Sequence, residues 1–234
     1  MKTAICDHRM PKKALKELEK YSDRLLLLPS FEALAEPVSA HPDMLIFPCP
    51  EQRILFTHKD YLSIAEDELG CLEFNILAIE EKAERDYPRD ILLNAAVVGE
   101  KLIGRLAYIS RSVMSYAQGR NMELIDVKQG YAKCSVCTVA ENALITADPS
   151  ISKAAKLGGI DVLDISEDGI LLDGYDHGFI GGASGTDGER VFFCGNILLH
   201  QDGERIVDFC CKHGKEAVSL SHEPLYDVGT ILFV

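Results

Sequence analysis

Positive charge is scarce in this chain. Its 24 lysines and arginines face 37 aspartates and glutamates, a net charge of −13. That balance argues against a nucleic-acid backbone or an anionic membrane as the main partner. It is compatible with a small cationic ligand. Long apolar runs are lacking too. The stretch from Leu25 to Leu28 is among the longest, far below a membrane span. The opening MKTAICDHRMPKK has too short an apolar segment for a secretory signal and runs into a charged helical pattern, so the expected location is cytoplasmic. The eight cysteines, at positions 6, 49, 71, 134, 137, 194, 210 and 211, then read as reduced thiols, most of them small buried hydrophobes.

Several familiar motifs are also missing. No G-x-G-x-x-G follows the first apolar run, which removes the usual mark of an open dinucleotide-binding sheet. GFIGGASG lacks the Lys-Ser/Thr of a phosphate loop and the spacing of a nucleophile elbow, so Ser184 is a weak nucleophile candidate. Cys134-x-x-Cys137 has no second such pair. On one regular strand its thiols would point to opposite faces, and a structural zinc site wants four ligands. No metal and no cofactor is expected.

What is present is an ordinary soluble composition, 47% hydrophobic and 26% charged over 234 residues. Residues 1–234 read as one domain. A chain of this size buries roughly 70% of its unfolded surface without staples.

The chain is repetitive. A polar or aromatic lead, an apolar run, a tight polar turn, a second apolar run, a helical stretch and a third apolar run recur. The first full copy is HPDMLIFPCP, RILFTHK, DYLSIAEDELG and CLEFNILAI; the second is YPRDILLNAAVVG, LIGRLAYI, RSVMSYAQG and MELIDV. The third is YAKCSVCTV, ALITAD, PSISKAAKLGG and IDVLDIS, with Pro149 well placed to open its helix. The fourth is YDHGFIGGASG, RVFFCGNILLH, RIVDFCCKHG and EAVSLS. The fifth is split: YDVGTILFV at the end of the chain, KTAICD, PKKALKELEKYS and RLLLLPS at its start. With Asp43, Asp90, Cys134, Gly178 and Gly229 taken as equivalent, the leads recur every 44 to 51 residues, a period that marks propellers and solenoids. The expectation is an α/β fold of five pseudo-repeated ββαβ units, a five-bladed β/α propeller closed by its N- and C-terminal strands. Closure would remove exposed sheet edges.

Five such units with a split closure resemble the pentein superfamily, the guanidino-group-modifying fold. Its members include arginine deiminase, dimethylarginine dimethylaminohydrolase, agmatine deiminase, amidinotransferases and the non-catalytic ribosome anti-association factors. GYAKCSVCTVAENALITADPSI, GIDVLDI, GYDHGFIGGASG and YDVGTILFV are similar to segments of a bacterial family with this fold.

In a ring of this kind the leads face the central axis. Repeat phase gathers His41, Asp43, Asp90, Lys133, Cys134, Asp176, His177 and Asp227 there. Their carboxylates would favour a guanidinium or amidinium through paired, charge-assisted hydrogen bonds. The ordinary alternative is that each aspartate serves a local turn. The resemblance implies a cysteine nucleophile and a histidine acid/base. His177 matches the histidine position. The nucleophile belongs just ahead of the final strand, where this chain has Gly229 and Thr230. Cys134 is the thiol at a comparable lead; Lys133 beside it would favour the thiolate, and the aspartates would oppose it. Two readings stay open: an amidinohydrolase- or amidinotransferase-like enzyme using Cys134 and His177, with His41, Asp43, Asp90, Lys133, Asp176 and Asp227 binding substrate, or a non-catalytic pentein that binds a metabolite or a protein.

Overall fold

The structure is a computed structural model and describes residues 2–234. Its apolar runs form five separate three-stranded sheets. Ile46–Cys49 pairs with Ile54–Thr57, which pairs with Asn75–Ala78. Ala96–Val98, Lys101–Gly104 and Glu123–Asp126 form the next sheet. Cys137–Ala140, Ala143–Thr146 and Asp161–Asp164 form another, and Ser184–Thr186, Arg190–Phe193 and Glu216–Ser219 the fourth. In the fifth, Leu232–Phe233 pairs with Thr3–Asp7, which pairs with Arg24–Leu28; Ala4 lies opposite Phe233 and Ile5 opposite Leu232. In every sheet the first strand is antiparallel to the second and the third is parallel to it. A parallel neighbour needs a crossover, and each crossover carries a helix: Leu62–Leu69, Arg111–Gly119, Pro149–Leu157, Gly203–Lys212 and Lys12–Leu18.

Two of those helices, Arg111–Gly119 and Pro149–Leu157, carry side-chain caps at their starts. Asp148 accepts a hydrogen bond from the Ile151 amide at 2.8 Å and Pro149 occupies the first turn. Ser110 accepts from the Val113 amide. Each helix buries one face, Val113 and Ala117 in one, Ile206, Phe209 and Cys210 in another. Burying a Phe or Ile side chain contributes roughly 1.5–3 kcal/mol, and Phe192, Phe193, Ile5, Ile46 and Leu55 are all fully enclosed.

Three expectations need correction. No sheet closes on itself, so each three-stranded sheet keeps its own edges. The leads of the first and third units are single helical turns, Pro42–Leu45 and Ala132–Ser135, not strand. A repeated device holds them: Thr57 Oγ1 donates to the Leu45 carbonyl at 2.9 Å, and Thr146 Oγ1 donates to the Ser135 carbonyl at 2.8 Å. Cys134 therefore stands in a helical turn and Cys137 in a strand, so the pair does not share one strand. In the fourth unit the strand starts at Ser184, and the glycine-rich stretch before it is a turn. A Cβ on Gly182 would run into the Asp227 carboxylate. Among the described residues no helix is long and apolar enough to cross a membrane.

Candidate functional site

The first strands of four sheets pack in succession: Ala96–Val98 against Cys137–Ala140, that strand against Ser184–Thr186, and Ser184–Thr186 against Leu232–Phe233. Beside them, with Ile46–Pro48, lies a cavity of about 240 Å³. Its walls are largely apolar and include Phe47, Leu93, Val97, Ile231 and Phe233. Its polar lining includes Asp43, Lys133 and Thr230, and Thr230 hydrogen-bonds to both of the others. Thr230 Oγ1 donates to Asp43 Oδ2 at 2.7 Å and lies 3.0 Å from the Gly181 carbonyl; Lys133 Nζ donates to Thr230 Oγ1 at 3.2 Å.

Asp43 is buried, and its Oδ1 has no hydrogen-bond partner. Most buried polar atoms are paired. Asp43 Oδ1 is an exception on a residue that lines the cavity. Burial pushes the Lys133 ammonium below the usual lysine range, against the pull of Asp43.

Asn94 is fully buried between these groups. Its Oδ1 accepts from the Lys133 amide at 2.8 Å, and its Nδ2 lies 3.2 Å from the Asp43 carbonyl and 3.1 Å from Cys134 Sγ. The side chain thus ties the lead of the first unit to that of the third. Cys134 is 2% exposed. Burial, then the Asp43 and Asp227 charges, raise its thiol well above the ordinary cysteine range, opposed by Asn94. That environment favours a thiol over the reactive thiolate.

The other candidate residues stand elsewhere. Asp227 and His41 border a second cavity of about 190 Å³, with Asp7, Arg9 and Tyr226. Asp227 accepts from the Phe179 amide at 2.8 Å and the Gly229 amide at 2.9 Å. Burial raises its carboxyl, opposed by the His41 charge. The His41 ring lies between two buried carboxylates, Nδ1 3.8 Å from Asp227 Oδ1 and Nε2 4.0 Å from Asp7 Oδ2. Asp90 is buried and accepts from the Tyr131 hydroxyl at 2.5 Å. Asp176 and His177 lie in the loop of residues 172–179, Asp176 exposed and His177 half-buried edge-on to Phe179. Neither borders the central cavity. Of the eight candidates the structure brings Asp43 and Lys133 together at the cavity and places Cys134 behind them. Among the described residues no three His, Cys, Asp or Glu side chains converge as a metal site.

A wider depression of about 590 Å³ lies against the helix Arg111–Gly119. Its arginines are already paired, Arg111 with Glu80 and Glu81 and Arg120 with Glu51.

A family model described as "Family of unknown function (DUF6873)" matches residues 5–232. The chain belongs to this family. No curated protein sequence matches it. Solved structures do. Dimethylarginine dimethylaminohydrolase from Pseudomonas aeruginosa, a cysteine-to-serine mutant complexed with citrulline, is 12% identical with a TM-score of 0.59, covering 94% of this chain and 91% of its own. Agmatine deiminase from C. jejuni is 8% identical with a TM-score of 0.53, over 94% of this chain and 86% of its own. An amidinotransferase of the saxitoxin biosynthetic pathway from Microseira wollei is 10% identical with a TM-score of 0.54, over 94% and 88%. All three are penteins, and at these identities the likeness concerns the fold.

Within this pentein-like fold, sequence reasoning passed over Asn94 and gave Thr230 no role. Asn94 had a signal: it is the one polar side chain inside the apolar run ILLNAAVV. Thr230 had one in the resemblance, which puts the nucleophile where this chain has Gly229 and Thr230, but the backbone conformation that aims its hydroxyl left no pattern.

Proposed function

We propose that this pentein binds a small cationic molecule in its central cavity, with the amidino or guanidino head on Asp43 and the remainder against the apolar walls. In this reading the five ββαβ units stand as a propeller-like ring around that ligand. The observation that carries it is the unpartnered Oδ1 of Asp43, a residue that lines a cavity of about 240 Å³. An amidinium presents parallel N–H donors in one plane, the pairing a carboxylate accepts best. Burial pushes Lys133 below the usual lysine range, which lessens its conflict with a cationic guest. The names of structurally similar proteins, a dimethylarginine hydrolase, an agmatine deiminase and an amidinotransferase, support the same ligand class.

Calorimetric titration with agmatine, arginine and methylated arginine tests it. At least one should bind, and Asp43→Asn should weaken that binding at least tenfold. Equal binding by the variant would remove Asp43 from the site.

A binding module without turnover is the second reading. It is favoured by the environment of Cys134, enclosed and held as a thiol between Asp43 and Asp227. It predicts no selective low-dose iodoacetamide labelling of Cys134 and an unchanged ligand affinity on Cys134→Ser. Cys134-dependent release of citrulline or ammonia would exclude it.

A further inference from the structure

Thr230 has φ at +70°, in the left-handed region that a β-branched residue rarely enters. Such strain persists where the surroundings over-determine it, and it concentrates at functional sites. Gly229, at φ +66°, takes the same conformation without a Cβ and packs directly on His41, where a side chain would collide. The pair of left-handed residues turns the chain so that Thr230 Oγ1 faces Asp43, Lys133 and the cavity. One hydroxyl hydrogen has three acceptors in reach: Asp43 Oδ2 at 2.7 Å, the Gly181 carbonyl at 3.0 Å and Lys133 Nζ, when neutral, at 3.2 Å. A threonine that served only the turn would need one. No ion pair within 4.0 Å engages the Lys133 amine among the described residues, so it can exchange a proton with its one hydroxyl neighbour.

We propose that Thr230 is a nucleophile and Lys133 its general base, acting on the amidino carbon of a ligand held by Asp43. This rests on the reading of the cavity as an amidino or guanidino site. In the first step a bond forms between Thr230 Oγ and the trigonal carbon, and the C=N π pair moves onto nitrogen. The hydroxyl proton passes to Lys133 Nζ. Collapse of the tetrahedral adduct breaks a C–N bond, and the leaving amine takes the proton from Lys133. A water then adds to the same carbon, giving its proton to Lys133. The carbon–Oγ bond breaks and Oγ regains that proton. One water is consumed, and the products are an amine and a urea or amide. Hydroxyl nucleophiles need an adjacent base of this kind. Burial lowers the affinity of Lys133 for its proton, which suits the role.

Diisopropyl fluorophosphate tests the hydroxyl without knowledge of the natural ligand. Reaction forms an Oγ–P bond, expels fluoride and leaves the proton on Lys133. Peptide mapping by mass spectrometry should find one adduct, on Thr230, reduced at least tenfold in Lys133→Met and absent in Thr230→Gly. Glycine relieves the left-handed strain but removes a buried hydroxyl that Asp43 accepts from, so the variant's folding is checked by its melting curve. In parallel, agmatine is titrated into each protein and ammonia release is followed. Thr230→Gly should keep agmatine binding within threefold and lose ammonia release, whereas Asp43→Asn should lose binding. Binding without a Thr230 adduct, or release that survives in Thr230→Gly, overturns Thr230 and leaves the binding reading standing. A Thr230 adduct without binding of any guanidino ligand overturns the binding reading instead.

Discussion

Two acidic clusters lie close together in chain and space, and they use their carboxylates in opposite ways. Asp7 and Asp227 are saturated by the protein. Arg9 grips Asp7 through its guanidinium at 2.7 Å and its own amide at 2.7 Å, and Asp227 receives two backbone N–H groups. These side chains hold loops, with His41 wedged between them. Asp43, two residues beyond His41, lines a cavity, receives one hydroxyl and has one oxygen without a partner. The contrast separates carboxylates that hold loops from one left partly unpaired. Buried acids of similar exposure are told apart by their hydrogen-bond inventory, not by burial.

The largest effect should come from the saturated cluster. Asp227→Ala leaves the Phe179 and Gly229 amides unpaired in the interior. Urea denaturation should show a loss of about 3 kcal/mol, since each orphaned buried group costs roughly 1–3 kcal/mol. A loss below about 1 kcal/mol would erase the distinction between the clusters. Asn94→Ala comes next. It unpairs the Lys133 amide and loosens two leads, with an expected loss of about 2 kcal/mol by the same measure. Asp43→Asn should change stability by less than about 1 kcal/mol, because only one hydrogen bond is at stake. Its effect belongs to ligand affinity.

The pH dependence follows the sign of the shifts. Burial raises the carboxyls of Asp227 and Asp90, opposed by His41 and by the Tyr131 hydrogen bond respectively. The folded protein therefore keeps these protons to higher pH than the unfolded chain does. Their contribution to stability is fully present below the ordinary aspartate value, near about 3.9, and is lost as pH rises through the raised folded value. Asp90→Asn should flatten the fall in stability just above that value, measured by urea midpoints across pH. An unchanged slope would count against the shift. The smallest effects are expected at Asp176→Asn and His177→Ala, within about 0.5 kcal/mol, typical of positions away from buried networks, and with no change in agmatine affinity. A large affinity loss at His177 would move the site to its loop.

The repeating order of strands and helices was legible because each unit repeats its own hydrophobic pattern and punctuation. Ser110, Asp148 and Pro149 write helix starts into the chain, and the helices Arg111–Gly119 and Pro149–Leu157 lie where the pattern places them. The leads were legible in position but not in conformation. Pro42 opens a helical turn that Thr57 then holds from another strand, and such a long-range contact leaves no local pattern. The site was legible in part. Asp43 and Lys133 line the same cavity. His177 does not join them, because Gly181 packs on the carbonyls of Lys133, Cys134 and Val136, and Gly182 packs on Asp227. That close packing turns residues 178–183 away from a strand and leaves His177 in the preceding loop. The position of Thr230 was marked by the resemblance, but its conformation was hidden, because a positive φ in a threonine is a property of its surroundings.

A crystal structure with agmatine bound tests the central claim most directly. The account predicts the guanidinium in the central cavity with a nitrogen about 3 Å from Asp43 Oδ1, a normal charge-assisted hydrogen bond. Agmatine seated instead beside Asp7 and Asp227, or against the helix Arg111–Gly119, would contradict it.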